Sequence, residues 1–216
     1  MAVHAGRLQF GAERGSIALL TTRDGLAATA GHDLTIALTQ WSAELEVADD
    51  LAPTGLTVRA DMNSLVVREG KGGVKPLTDR DRREIAVTAR KLLRTDQFPA
   101  ATFTATQFGR DAQGGGTLAG TLSLAGQDRP LSLTVTPKNG ASGDEPGGGY
   151  HATGALRQTD FGIKPYTAFF GALKVSDQIR LGIDVNLPGA PRPAARWRPR
   201  TARPPRSSAG GRPGRP

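Results

Sequence analysis

Few side chains in this chain carry the kind of chemistry that builds an active site. There is no Cys and there are three His, at positions 4, 32 and 151, which excludes a thiolate nucleophile, a disulfide framework and a Cys-ligated zinc or iron–sulfur cluster. The single His beside an acid lies in Gly31, His32, Asp33, Leu34. A general base there would need a pocket and a shifted pKa, and a metal site would need further ligands. Neighbours on an extended chain point to opposite sides, so Asp33 is not set to orient the His32 ring. The pair is expected to be structural, either a hydrogen-bonded turn or a polar group at the mouth of a fold.

Other candidates weaken on inspection. Ser123 lies inside an alternating run, with no nucleophile elbow around it. Gly114, Gly115 and Gly116 with the adjoining Thr-Leu-Ala-Gly imitate a dinucleotide-binding pattern, but residues 117–124 read as a strand where a helix is required, so a hairpin loop is expected. Residues 69–77, Glu-Gly-Lys-Gly-Gly-Val-Lys-Pro-Leu, run into a helix start and resemble a phosphate cradle with Lys71, Lys75 and Arg80 nearby. Asp79 and Asp81 already complement that helix end and would repel an anion, so a flexible loop is expected.

The elements around these residues are mostly strands. Apolar and polar residues alternate through 35–39, 41–47, 56–61, 118–124, 131–135 and 181–185, and 16–22, 103–108 and 150–156 bring the count to about nine segments. Short alternating strands predict an antiparallel sheet with one buried face. Ile85, Ala89 and Leu92 or Leu93 recur at helical spacing between Thr78 and Arg94, with acids at the start and bases at the end, which predicts one inserted amphipathic helix. The pattern favours a closed barrel over an open sandwich. Its expected inward set is Ile36, Leu38, Leu45, Val47, Leu56, Val58, Phe103, Leu122, Leu124, Leu133, Val135, Ile183 and Val185. These residues serve equally as a packed core or as the wall of a cavity; the first case implies a scaffold and the second a carrier.

The net charge of +8 is localised. Residues 188–216 contain eight Arg and no acid, leaving 20 basic and 20 acidic side chains on residues 1–187. Eight of those tail residues are Pro, and no apolar periodicity offsets the cost of ordering, so the tail is expected to be disordered. Trp197 among Arg196, Arg198 and Arg200 suits transient contact with polyanions; a plain solubilising tail is the competing reading. No stretch approaches the ~20 apolar residues of a spanning helix, and the N-terminus has no apolar signal core, so a cytoplasmic location is expected. The expected domains are an extension over 1–11, a barrel over 12–187 and the tail over 188–216.

The order of local strings resembles the YceI-like family. They are Gly31 to Leu34; Asn63, Ser64, Leu65; Asp79, Arg80, Asp81; Gln97, Phe98, Pro99 running to Thr102 and Phe103; Gly120 to Leu124 with Gly126, Pro130 and Leu131; and Asp160 to Tyr166, followed by Gly171 to Val175. The resemblance implies an all-β fold, an antiparallel eight-stranded lipocalin-like barrel with an apolar tunnel that binds polyisoprenoids or related amphiphiles without catalysis or a cofactor. It implies tunnel or rim positions for His32, Phe98, Phe103, Phe161, Ile163 and Tyr166. The inward strand positions Ile36, Leu45, Leu122 and Leu124 join them as expected ligand contacts. Phe169 and Phe170 are added on chemistry alone, as adjacent aromatics near a Gly. Many family members are exported, whereas residues 1–15 show no apolar signal core and export is not expected, and the Arg/Pro tail lies outside the resemblance.

The expected function is binding of a long apolar chain inside the barrel, for carriage or storage. The alternative is an interaction module with a filled barrel whose basic tail docks on nucleic acid or an anionic membrane. Expected partners are an isoprenoid or other amphiphilic lipid in the barrel, weak polyanion or anionic-membrane contact through the tail, and a second copy of the chain in a homodimer.

Overall fold

Period-two alternation gives each strand one apolar face, and an antiparallel sheet buries that face only by packing it or by curling around it. The computed structural model describes residues 6–50, 52–112, 114–138 and 148–187, and in it the sheet curls. The strands are β1 (Gly6–Gly11), β2 (Gly15–Thr21), β3 (Arg23–Asp24), β4 (His32–Leu38), β5 (Trp41–Val47), β6 (Pro53–Asp61) and β7 (Leu65–Gly72). After helix α1 (Asp79–Leu93) come β8 (Ala100–Arg110), β9 (Gly116–Leu124), β10 (Gln127–Pro137), β11 (Gly148–Arg157), β12 (Thr167–Ala168), β13 (Leu173–Val175) and β14 (Gln178–Leu187). The main sheet is antiparallel and runs β1-β5-β6-β8-β9-β10-β11-β14-β2-β4-β7, and a small sheet runs β12-β13-β3.

The main sheet therefore has eleven strands where eight were expected. The difference arises because three chain stretches break in the middle. A turn over residues 12–14 divides β1 from β2, with the Arg14 amide donating to the Gly11 carbonyl at 2.9 Å. The other two breaks, at 39–40 and 62–64, are tied together by one buried hydroxyl. Ser64 Oγ accepts the Thr39 and Gln40 amides, each at 3.1 Å, and donates to the Asp61 carbonyl at 2.6 Å. One half of each stretch pairs as β1-β5-β6 and the other as β2-β4-β7, so the two ends of the sheet order belong to the same three stretches. The result is a strongly curled, barrel-like sheet.

Helix α1 forms where it was expected. Thr78 accepts the Asp81 amide at 3.2 Å while the Asp81 carboxylate accepts the Thr78 amide at 2.8 Å, a reciprocal cap that satisfies donors at both positions. Arg94 closes the C-terminal end in the left-handed region, φ 52°, and its guanidinium lies 4.8 Å from the Phe98 ring and donates to the Ala125 carbonyl at 2.7 Å. β8 begins with Ala100 opposite Asp61, so it pairs β6 and leaves β7 with β4 as its one sheet neighbour. α1 packs against β7 and supplies Ile85, Ala86, Ala89, Leu92 and Leu93 to the same apolar cluster as the strands.

Two local features set side-chain directions. The register between β8 and β9 shifts between Ala105 and Gln107; this bulge resets the alternation, so that Phe108 follows Phe103 and Ala105 on the inner side. Gly120 fits opposite it, because a Cβ there would stand 2.0 Å from the Thr104 carbonyl oxygen. Two expected boundaries move. Residues 6–11, expected outside the domain, form β1, with Leu8 and Phe10 opposite Leu45 and Ala43. Residues 69–72, expected in a flexible loop, extend β7 and pair with His32 to Thr35. The tail expectations fall on 188–216, outside the described residues.

Candidate functional site

The curled sheet encloses a cavity of about 1150 Å3. All of the expected inward set lines it, as do Trp41, Phe10, Phe108, Leu118 and Leu156, and the apolar face of α1 contributes Ile85, Ala89 and Leu92. It extends along the length of the curl, from His32 at the start of β4 to Val47 at the end of β5. The far end is bordered by Asp50, Pro53, Arg110, Gly115 and Leu187, and the near end by Arg23, His32, Lys75, Tyr166, Phe169 and Lys174. At mid-wall, Trp41 meets Phe10 edge-on, with ring centroids 6.2 Å apart at 87°, and its Nε1 is buried with no hydrogen-bond partner among the described residues.

The near end is held by backbone close approaches. Arg23 crosses it: its Nη1 donates to the Gly31 carbonyl at 2.7 Å and its amide to Asp33 Oδ1 at 2.9 Å, while its Nε lies 3.8 Å from the same carboxylate. The His32 Nε2 lies 2.9 Å from the Lys75 carbonyl oxygen. Gly72 and Gly73 make room for both side chains: a Cβ would fall 1.9 Å from the Arg23 guanidinium at the first and 2.3 Å from the His32 ring at the second, and both have positive φ, 82° and 74°. His32 and Asp33 thus face separate partners, as their adjacency on a strand requires. At the helix start, the Thr78 amide and hydroxyl hold the Asp81 carboxyl below its usual pKa.

Among the expected contact residues, His32, Ile36, Leu45, Phe103, Leu122, Leu124, Ile163, Tyr166 and Phe169 line the cavity. Phe98, Phe161 and Phe170 do not. Phe98 lies under Arg94 and against Gly126; Phe161 is buried at 2% exposure in the apolar cluster; Phe170 is fully exposed. The sequence reading did not single out Arg23 or Lys174, from β3 and β13, and weighed Lys75, from the loop after β7, only beside a phosphate cradle and not at a cavity opening. The β13–β3 pairing, which carries no local pattern, brings Arg23 and Lys174 together, and the β4–β7 pairing with the His32 contact brings Lys75 to them. The sequence reading also missed Trp41, although that residue opens an alternating run. Among the described residues no group of three or more His, Cys, Asp or Glu is placed to hold a metal, and no helix is long and apolar enough to cross a membrane.

A curled antiparallel sheet around an elongated apolar cavity, with polar side chains gathered at its ends, defines a barrel-like fold. The YceI-like domain model matches residues 18–187, and the chain belongs to that family. UPF0312 protein YE1254 of Yersinia enterocolitica is 33% identical over 90 residues, a stretch covering 40% of this chain and 45% of that protein. The chain thus matches less than half the length of that curated relative. The fold is similar to that of Burkholderia cenocepacia BcnA, with a TM-score of 0.55 at 12% identity over 79% of this chain and 96% of that one. It is similar also to a mutant CJ YceI protein, with a TM-score of 0.51 at 17% identity over 73% of this chain and 85% of that one.

Proposed function

We propose that this protein binds the long apolar chain of an amphiphilic lipid, a polyisoprenoid or similar molecule, inside its barrel and carries or stores it without catalysis. The cavity of about 1150 Å3 carries the reading: it is larger than the 300–1,000 Å3 typical of drug-sized pockets and is walled by aliphatic and aromatic side chains. At ~25 cal/mol per Å2, burying ~400 Å2 of ligand yields roughly 10 kcal/mol. Association costs of about 4–15 kcal/mol oppose this, so affinity must grow with chain length. The polar groups at the near end suit a headgroup. His32, Asp33 and Asp81 are engaged by Lys75, Arg23 and Thr78 respectively, which supports holding over turnover.

The test combines native mass spectrometry of the purified protein, solvent extraction, and fluorescence of Trp41 with Trp197→Phe leaving it as the sole tryptophan. The expected outcome is an extractable amphiphile, or uptake of an added one that shifts Trp41 emission. Ala43→Phe, which projects into the cavity, is expected to weaken uptake. A protein that neither retains nor accepts any long-chain amphiphile would overturn the reading.

A further inference from the structure

Exposed large apolar side chains cluster around one end of the cavity. Among the described residues the large hydrophobics most open to solvent are Leu26 (100%), Val74 (84%), Phe169 (64%) and Phe170 (113%). Three loops carry them, and contacts at the near end bring those loops together. The Ala27 amide donates to the Ala172 carbonyl at 2.9 Å, which sets the Leu26 turn beside Phe169 to Gly171. Val74 follows Gly72 and Gly73, which back onto Arg23 and His32. Single exposed apolar residues are ordinary, but several on neighbouring loops around the opening of an apolar cavity mark an interaction surface.

The backbone adds an independent observation. Phe169 and Phe170 have φ of 51° and 54°, a left-handed conformation that costs a bulky side chain of order 1–3 kcal/mol. The chain holds two strained aromatics outward where a Gly would be relaxed. Lys75 and Lys174 border the same opening and form no ion pair within 4 Å among the described residues; the acids nearby are Asp33 beside Arg23, Asp24 on the Gly25 amide opposite Lys174, Asp81 in the helix cap within the field of Lys75, and Glu84 paired with Arg80.

We propose that the near end of the cavity docks on a lipid bilayer bearing anionic headgroups, with Leu26, Val74 and Phe170 entering the interface so that a lipid passes between bilayer and cavity without crossing water. The inference rests on the lipid-binding function proposed above and names the surface from which the ligand comes. Apolar side chains rimmed by cations fit the boundary between acyl chains and acidic headgroups. The uniform affinity of the cavity for a chain then matters less than the path into it.

The test uses the full chain with Leu26→Ser, Val74→Ser and Phe170→Ser combined, none of which lines the cavity. Co-sedimentation with phosphatidylcholine/phosphatidylglycerol vesicles is read at about 0.5 M NaCl, where screening within a few Å suppresses attraction through the tail arginines. The apparent partition constant is expected to fall roughly tenfold or more, while uptake of a fluorescent fatty acid from vesicle-free solution stays unchanged. Phe170→Gly alone, which also relieves the backbone, is expected to show a smaller loss in the same direction. Wild-type protein that ignores the vesicles, or a triple variant that sediments like wild type, would overturn the docking surface. Vesicle binding that depends on these residues, with no fatty-acid uptake by either protein, would leave docking standing and remove the lipid-cavity function instead. At low salt, Lys75→Gln with Lys174→Gln is expected to lower the phosphatidylglycerol-dependent part of binding a few-fold; no change would overturn the role of anionic headgroups.

Discussion

The wall of the cavity and its near opening are built on opposite principles. The wall consists of regular strands whose inward residues, such as Phe103 (6% exposed) and Leu133 (5%), are buried against many neighbours. The opening consists of turns and short strands in which Phe169 and Phe170 stand exposed on strained backbone. In the wall an aromatic stabilises the fold; at the opening it burdens the fold and its justification is functional. That difference yields tests of graded size. The largest is Phe103→Ala, which removes a ring from the wall and is expected to cost about 3–5 kcal/mol in denaturant unfolding. A loss below ~1 kcal/mol would mean the wall collapses easily and is not the rigid side of the comparison.

The close approaches at the opening come next. Gly73→Val places a Cβ on the His32 ring at a φ of 74° and is expected to destabilise by about 1–3 kcal/mol, with displacement of His32 visible in its NMR ring signals. An effect near zero would show that the opening rearranges freely. Opposite in sign, Phe170→Gly is expected to stabilise the fold by about 0.5–1 kcal/mol, since Gly adopts this φ without the penalty borne by Phe. If thermal unfolding shows Phe170→Gly to be as damaging as a wall substitution, the contrast between the two regions fails.

The same contrast explains what could be read from the residues. Every expected inward residue lines the cavity, because an alternating strand encodes its own buried face. The amphipathic helix was equally legible from Ile85, Ala89 and Leu92 and from the acids and bases at its ends, although its reciprocal Thr78–Asp81 cap was not. Phe108 was lost because the bulge after Ala105 breaks the alternation without a local signature. β7 was missing from the alternating segments altogether; its second half, Glu69 to Gly72, looks like a Gly-rich loop and becomes a strand only through pairing with β4. Phe98 and Phe161 were placed at the cavity by the resemblance and Phe170 by residue type, yet a ring can be spent under a guanidinium, in the core or in solvent, and only tertiary contacts choose. Arg23 and Lys174 could not be assembled at all, since the β13–β3 pairing joins positions about 150 residues apart, and Lys75 joins them only through the fold that sets its loop beside His32.

The smallest expected effect lies on the outer side of the sheet, away from both regions. His151 on β11 stands opposite Asp184 on β14, with Nδ1 2.9 Å from the Asp184 carboxylate, and the Lys138 ammonium approaches the same oxygen at 2.7 Å. Lys138 first, and His151 after it, hold the Asp184 carboxyl below its usual pKa, against the opposing effect of partial burial. A carboxyl lowered on folding contributes stability that is fully present above the unfolded value of about 3.9 and is lost as pH falls through the lower folded value. The side chains are 41–43% exposed, so water screens the cluster and its contribution is expected to be a few tenths of a kcal/mol. Asp184→Asn should therefore remove a small loss of stability that sets in as pH falls below the unfolded value of about 3.9 and leave both fatty-acid uptake and vesicle docking untouched. Urea midpoints above and below that value would show the effect. A change in docking on Asp184→Asn would mean that the outer face communicates with the opening, and that the wall between them is less rigid than its packing implies.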